Sequence, residues 1–152
     1  MPEQSLAENL SGIWSALHKD VNLTISKNEV HYLTTMALAC NDDLVSHLLL
    51  KKLRLANVRE PAAVEEATVM MNSFVEFAID GGTKRFCKLV HPSPLSPSYG
   101  LSVTTLEGAG TIGMRSGQTI LWPSQSGSLH DLQVLHVENC PGLGAWLGNE
   151  RI

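Results

Sequence analysis

The stretch YGLSVTTLEGAGTIGMRSGQTILWP, residues 99–123, decides how this chain is read. It holds a G-x-G-x-x-G at Gly108, Gly110 and Gly113 behind a strand-like Leu101–Thr105, with Asp131 at roughly the spacing of a ribose-binding acid. A dinucleotide site needs its last glycine to open a long helix whose N-terminus faces a pyrophosphate. Here Gly117 and Trp122-Pro123 follow too soon, because a helix interior tolerates neither Gly nor Pro. Gln118–Trp122 reads as a short strand instead. The glycines therefore mark tight turns around one short helical turn, Glu107–Ile112.

Working outward, strands and turns fill the second half of the chain. Val69–Ile79 is apolar and β-rich, Asp80-Gly81-Gly82 supplies a turn that tolerates positive φ, and Thr83–Val90 returns. The prolines of His91–Ser98 remove ladder donors and stop the sheet. Leu129–Glu138 reads as the last strand, with Leu132, Val134 and Val137 inward. An antiparallel sheet carrying one short helix is expected.

The first half is helical. Leu6, Leu10, Ile13, Trp14 and Leu17 fall near one face of a short helix or arm within residues 1–21, although Gly12 weakens it. Ser26-Lys27-Asn28-Glu29 forms a capping box, followed by Val30, Leu33, Ala37 and Cys40 at helical spacing. Asn41-Asp42-Asp43 turns the chain into a second helix carrying Leu44, Leu48, Leu49, Leu53 and Leu55. The two helices make an antiparallel hairpin expected to project roughly 20 Å at about 1.5 Å per residue. The expected organisation is an arm at 1–21, a hairpin at 22–60, a linker at 61–67, a sheet domain at 68–141 and a tail at 142–152.

Composition bounds the function. A chain of 152 residues with 43% hydrophobic and 17% charged residues can bury a core as one domain with a modest appendage. A net charge of −4 disfavours a large duplex-binding face, and the basic clusters Lys51–Arg59 and Lys84–Lys88 are short, with Phe86 their single interleaved aromatic, so they read as solvated faces. Cys40, Cys87 and Cys140 are odd in number and form no C-x-x-C, so no disulfide framework or zinc knuckle is expected. No signal-like opening and no apolar run near the roughly 18 residues of a membrane span is present, which points to the cytoplasm and to no membrane partner.

Few residues suggest chemistry. His130 and His136 could share a strand face but stand about 20 Å apart, too far for one ion. His31 and His47 could approach across the hairpin, without an evident third ligand. Cys87 and His91 lack an orienting acid, and no serine sits in a G-x-S-x-G elbow. Asp42 and Asp43 at the hairpin corner have two readings. They can offer hard oxygen ligands to a Mg²⁺ held by another molecule, or cap the second helix. No enzyme and no cofactor is expected.

Residues from about 23 to 141 resemble the Rnk family, regulators of nucleoside diphosphate kinase, and more distantly the Gre transcript-cleavage factors. The likeness is carried by Val69-Met70-Met71-Asn72-Ser73, Lys88-Leu89-Val90-His91-Pro92, Leu101-Ser102-Val103 and the glycine run from Gly108 through Gln118 to Trp122-Pro123. The resemblance implies an α+β protein, a short coiled-coil hairpin followed by an FKBP-like domain. It implies binding to core RNA polymerase at the secondary channel, with indirect contact to the nucleic acid there. Asp42 and Asp43 would be the tip acids, and Thr105, Leu106, Glu107 and Gly108 the docking segment. Thr105-Leu106 replaces the family's Ser-Pro, and Gln118 its Asp, so the docking surface is altered. The short hairpin implies occupancy of the channel without stimulated cleavage. An FKBP-like interaction module with another partner is the alternative; prolyl isomerase activity is disfavoured by an aromatic content of only 5%.

Overall fold

The structure is a computed structural model and describes residues 5–139. Its elements run α1 (Leu6–Leu17), β1 (Thr24–Ser26), α2 (Lys27–Ala39), α3 (Asp43–Leu55), β2 (Asn57–Arg59), β3 (Phe74–Ile79), β4 (Arg85–Val90), β5 (Gly100–Ser102), α4 (Leu106–Thr111), β6 (Thr119–Pro123) and β7 (Leu129–Glu138). The fold is α+β, as expected. A five-stranded sheet has the order β5-β4-β3-β7-β6, and β1 and β2 form a separate parallel pair. The main sheet is mixed, because the proline loop carries the chain back so that β5 starts beside Lys88 and runs parallel to β4. No helix among the described residues is long and apolar enough to cross a membrane.

The hairpin does not project. Leu33 and Ala37 of α2 and Val45, Leu48 and Leu49 of α3 are buried in the same cluster as Val75, Phe77, Ile112 and Val134. Burying a Leu or Val side chain contributes about 1.5–3 kcal/mol, so an apolar helical stripe with a sheet in reach folds onto it.

Helix α1 adds a third helix and protects the sheet edge. Its buried face is Ala7, Leu10, Ser11 and Trp14, while Leu6, Ile13 and Leu17 of the expected apolar stripe are exposed. Strand β6 is an edge, and an open edge invites pairing with another chain. The Trp14 indole N–H donates to the Leu121 carbonyl at 2.7 Å, and the Leu121 N–H donates to His18 Nε2 at 3.1 Å. Trp14 and the C-cap residue His18 thus occupy the carbonyl and N–H of Leu121, groups that a neighbouring strand would use.

Several local expectations give way to tertiary contacts. The capping box is not formed: Ser26 bonds Asn28, and Glu29 Oε2 accepts the Met71 N–H at 3.1 Å. Burial beside that loop pushes the Glu29 carboxyl above its ordinary range. Strand β3 starts at Phe74 rather than Val69, since Asn72 adopts φ 72° and breaks extension. Strand β7 has a bulge at Leu135, placing Glu76 opposite His136 but Phe77 opposite Val134. The bulge keeps Val134 and Val137 both inward and puts His136 on the face opposite His130, so these two histidines do not share a face.

Candidate functional site

A cleft of about 550 Å³ lies where the α2–α3 corner meets the end of the sheet beside α4. Its apolar lining includes Ile79, Leu106, Trp122, Pro123 and Leu132, and its carboxylates are Asp42, Asp80 and Glu107. Four sequence-predicted site residues, Asp42, Thr105, Leu106 and Glu107, line it. Asp43 is exposed on the corner, and Gly108 is buried outside the lining.

Each residue is placed by local chemistry. Thr105 caps α4: its hydroxyl accepts the Gly108 N–H at 3.0 Å and donates to the Ser102 carbonyl at 2.6 Å. Leu106 offers its carbonyl to the Trp122 indole N–H at 2.7 Å, which locks the indole into the wall. Glu107 sits 3.6 Å from Arg85 in a partly exposed ion pair. Gly108 is required for space, since a Cβ there would stand 2.0 Å from the Ser102 carbonyl oxygen. The amides of Gly108, Ala109 and Gly113 are all taken, by Thr105 Oγ1, the Thr105 carbonyl and the Val69 carbonyl. None of these three is free to cradle a phosphate, and Gly110 makes room for the wall, since a Cβ there would stand 2.6 Å from Leu132 and 2.8 Å from the Trp122 indole nitrogen.

Asp42 works as a cap and as a tie. Its Oδ1 accepts the N–H groups of Leu44 at 3.0 Å and Val45 at 3.2 Å. Its Oδ2 accepts the Gln125 side-chain amide at 2.7 Å, linking the corner to the β6–β7 loop. Across the cleft, Asp80 accepts from His130 at 2.6 Å and from the Asp131 N–H at 2.8 Å. These bonds hold the Asp80 carboxyl below its ordinary range.

Behind the cleft wall lies Lys52, fully buried on α3. Its Nζ donates to the carbonyls of Ala109 and Ile112, each at 2.8 Å, and to that of Gly110, all at the end of α4. It also lies 4.9 Å from the centre of the Trp122 ring. Burial pulls the Lys52 pKa well below the usual lysine range, whereas three acceptors require the three donors of the ammonium form. The ammonium faces the negative end of a helix, an arrangement that favours a cation. Trp14 meets Trp122 edge-on at 5.3 Å, completing a buried link from α1 through Trp122 to α3.

Lys52, Gln125 and the Asp80–His130 pair were not expected at a site. Lys52 had a legible signal, since it continues the spacing of Val45, Leu48 and Leu49 on the buried face of α3. Gln125 and Asp80 had none, because their meeting depends on the tertiary fold. The remaining candidates stay apart from the cleft. Cys40 Sγ lies 3.7 Å from the Thr104 carbonyl, and burial pushes the Cys87 thiol up, away from nucleophilic use. Among the described residues no three His, Cys, Asp or Glu side chains cluster to hold a metal ion. Cys140 and Trp146 lie outside the described residues.

No family model matches the chain, and no curated protein does. Among solved structures it is similar to the prokaryotic transcription elongation factor GreA/GreB from Nitrosomonas europaea. That likeness has a TM-score of 0.60 and 22% identity, covering 78% of this chain and 98% of that one. The Gfh1 proteins of Thermus thermophilus and Thermus aquaticus align at TM-scores of 0.36 and 0.39, both at 15% identity. They cover 78% and 88% of this chain and 99% and 92% of theirs, but at these scores the likeness carries no argument. The first match shows that the fold is of the Gre type.

Proposed function

We propose that this chain is a transcription regulator that binds RNA polymerase, of the short-hairpin Rnk kind within the Gre group, acting in the cytoplasm. The observation that carries this reading is the fold likeness to a GreA/GreB elongation factor across 98% of that protein. In this reading the cleft formed by Thr105, Leu106 and Glu107 docks at the rim of the secondary channel. Nucleic acid is touched only indirectly, and no catalytic residue is assigned.

The geometry of the corner supports blocking without stimulated cleavage. A tip acid that helps hold Mg²⁺ must offer oxygens away from the body of its own protein. Asp42 spends one oxygen on two backbone N–H groups and the other on Gln125. Of the two corner acids, Asp43 is the exposed one. Corner and cleft then engage the polymerase as one continuous face.

Retention on immobilised core polymerase at moderate salt tests the reading, together with transcript cleavage by stalled elongation complexes. The expected result is retention without stimulated cleavage. Robust cleavage lost in Asp42→Ala/Asp43→Ala would overturn the blocking role, and failure to bind polymerase would overturn the function. The apolar cleft also favours a second reading, an FKBP-like interaction module for a different protein, which such a failure would leave standing.

A further inference from the structure

The cleft has a definite chemical character. Its floor is apolar, and a volume of about 550 Å³ falls in the range of small binding pockets, large enough for one bulky side chain with its flanking backbone. Its rim holds Asp42, Asp80 and Glu107, and among the described residues no Lys or Arg lines it. Asp42 is hydrogen-bonded only to neutral N–H groups among the described residues, so no cationic side chain pairs with it there. Asp80 shares its charge with His130, and Glu107 is met by Arg85 from outside the lining at 3.6 Å.

From this complementarity, and resting on the docking role given above to the same cleft, we propose that its occupant is a basic, apolar peptide segment. A leucine-like side chain enters over Leu106, Trp122 and Leu132, and flanking Arg or Lys side chains meet the rim carboxylates. Apolar burial supplies the affinity, and the acidic rim selects against acidic sequences. The walls are pre-formed: Trp122 is fixed by Leu106 and backed by Lys52, so little ordering cost falls on the protein when the peptide arrives.

Isotope-labelled protein titrated with three capped peptides tests this by NMR: Ac-GRGLGRG-NH2, Ac-GEGLGEG-NH2 and Ac-GRGAGRG-NH2. The first is expected to shift the Trp122 indole N–H and the Leu132 and Gln125 resonances. The alanine peptide should bind about tenfold more weakly, from the lost side-chain burial, and the acidic peptide at least about tenfold more weakly. Glu107→Lys, checked for fold by circular dichroism, should narrow the preference for the basic peptide. Equal binding of basic and acidic peptides, or shifts confined to residues outside the cleft, would overturn the proposal, as would no shift at millimolar peptide. Polymerase retention with no peptide selectivity would refute the occupant and leave the docking role intact. Selective peptide binding without polymerase retention would do the reverse.

Discussion

At the N-terminus of α3, Asp42 sits partly exposed and satisfies the amides of its own helix. Near the C-terminus of the same helix, Lys52 is fully buried and satisfies carbonyls of a different helix, α4. Both place a charge where a helix dipole welcomes it. The first is a local device whose removal water can repair. The second bridges the helical layer and the sheet in a place water cannot reach, so the stability of the whole arrangement depends on it far more. The cleft is walled by the consequences of both, with Gln125 tied to Asp42 and Trp122 backed by Lys52.

The comparison breaks most sharply at Lys52. Lys52→Met keeps the aliphatic stem but leaves three buried carbonyls without donors, at about 1–3 kcal/mol each before relaxation. A loss of roughly 3–4 kcal/mol in urea unfolding is expected. A loss under about 1 kcal/mol would place the link between the layers elsewhere. Gly108→Ala attacks the same junction from the α4 side. Its methyl must displace the Ser102 backbone, and a cost of about 2–3 kcal/mol is expected by thermal unfolding.

A smaller effect separates α1 from the rest. His18 Nδ1 donates to the Trp14 carbonyl at 2.7 Å and Nε2 accepts from Leu121, so the ring is neutral where it sits. Burial, with the Lys52 charge nearby, lowers its pKa against the partial support of the Trp14 carbonyl. A base whose folded pKa is depressed is stabilising above its unfolded value and loses that contribution as pH falls below it. Stability should therefore be level above pH ~6.5 and decline below it, by ~1.5 kcal/mol for the lost bond and its orphaned N–H. Tryptophan fluorescence should report α1 loosening over the same range. His18→Gln, which retains a donor and an acceptor, should flatten the profile; an unchanged profile would assign the transition to another group.

The smallest effect belongs to the other end of α3. Asp42→Ala should cost ~1 kcal/mol, the usual worth of an N-cap, and Asp42→Asn a few tenths. A loss comparable to that of Lys52→Met would erase the distinction between the two ends.

This contrast also marks how far the chain could be read without its structure. The Asp42 cap was among the readings of the corner because it needs only the residue and the helix that follows it. The outline of α1, α3, β4, β6 and β7 was legible from periodicity and turn residues for the same local reason. Glu29 misled, as a distant Met71 N–H claims the carboxylate that a capping box would use. Strand β2 gave no signal because all of Asn57–Arg59 is exposed and nothing alternates. Thr105, Leu106 and Glu107 were named only through the family resemblance, and the cleft they line could not be read, since Asp80, Gln125 and His130 reach it from separate turns. Lys52 stood on the apolar phase of its helix beside Lys51, and its partners lie across the fold.

In the proposed function the α2–α3 corner stays bound to the sheet, and the molecule meets polymerase as one face. Spin labels at Asn41 and Ser126, both exposed, report that separation directly in a cysteine-free background. A single short distance is expected in the free protein, unchanged on core polymerase. A second, longer distance appearing on polymerase would show the hairpin swinging out to probe the channel, and would contradict that proposal.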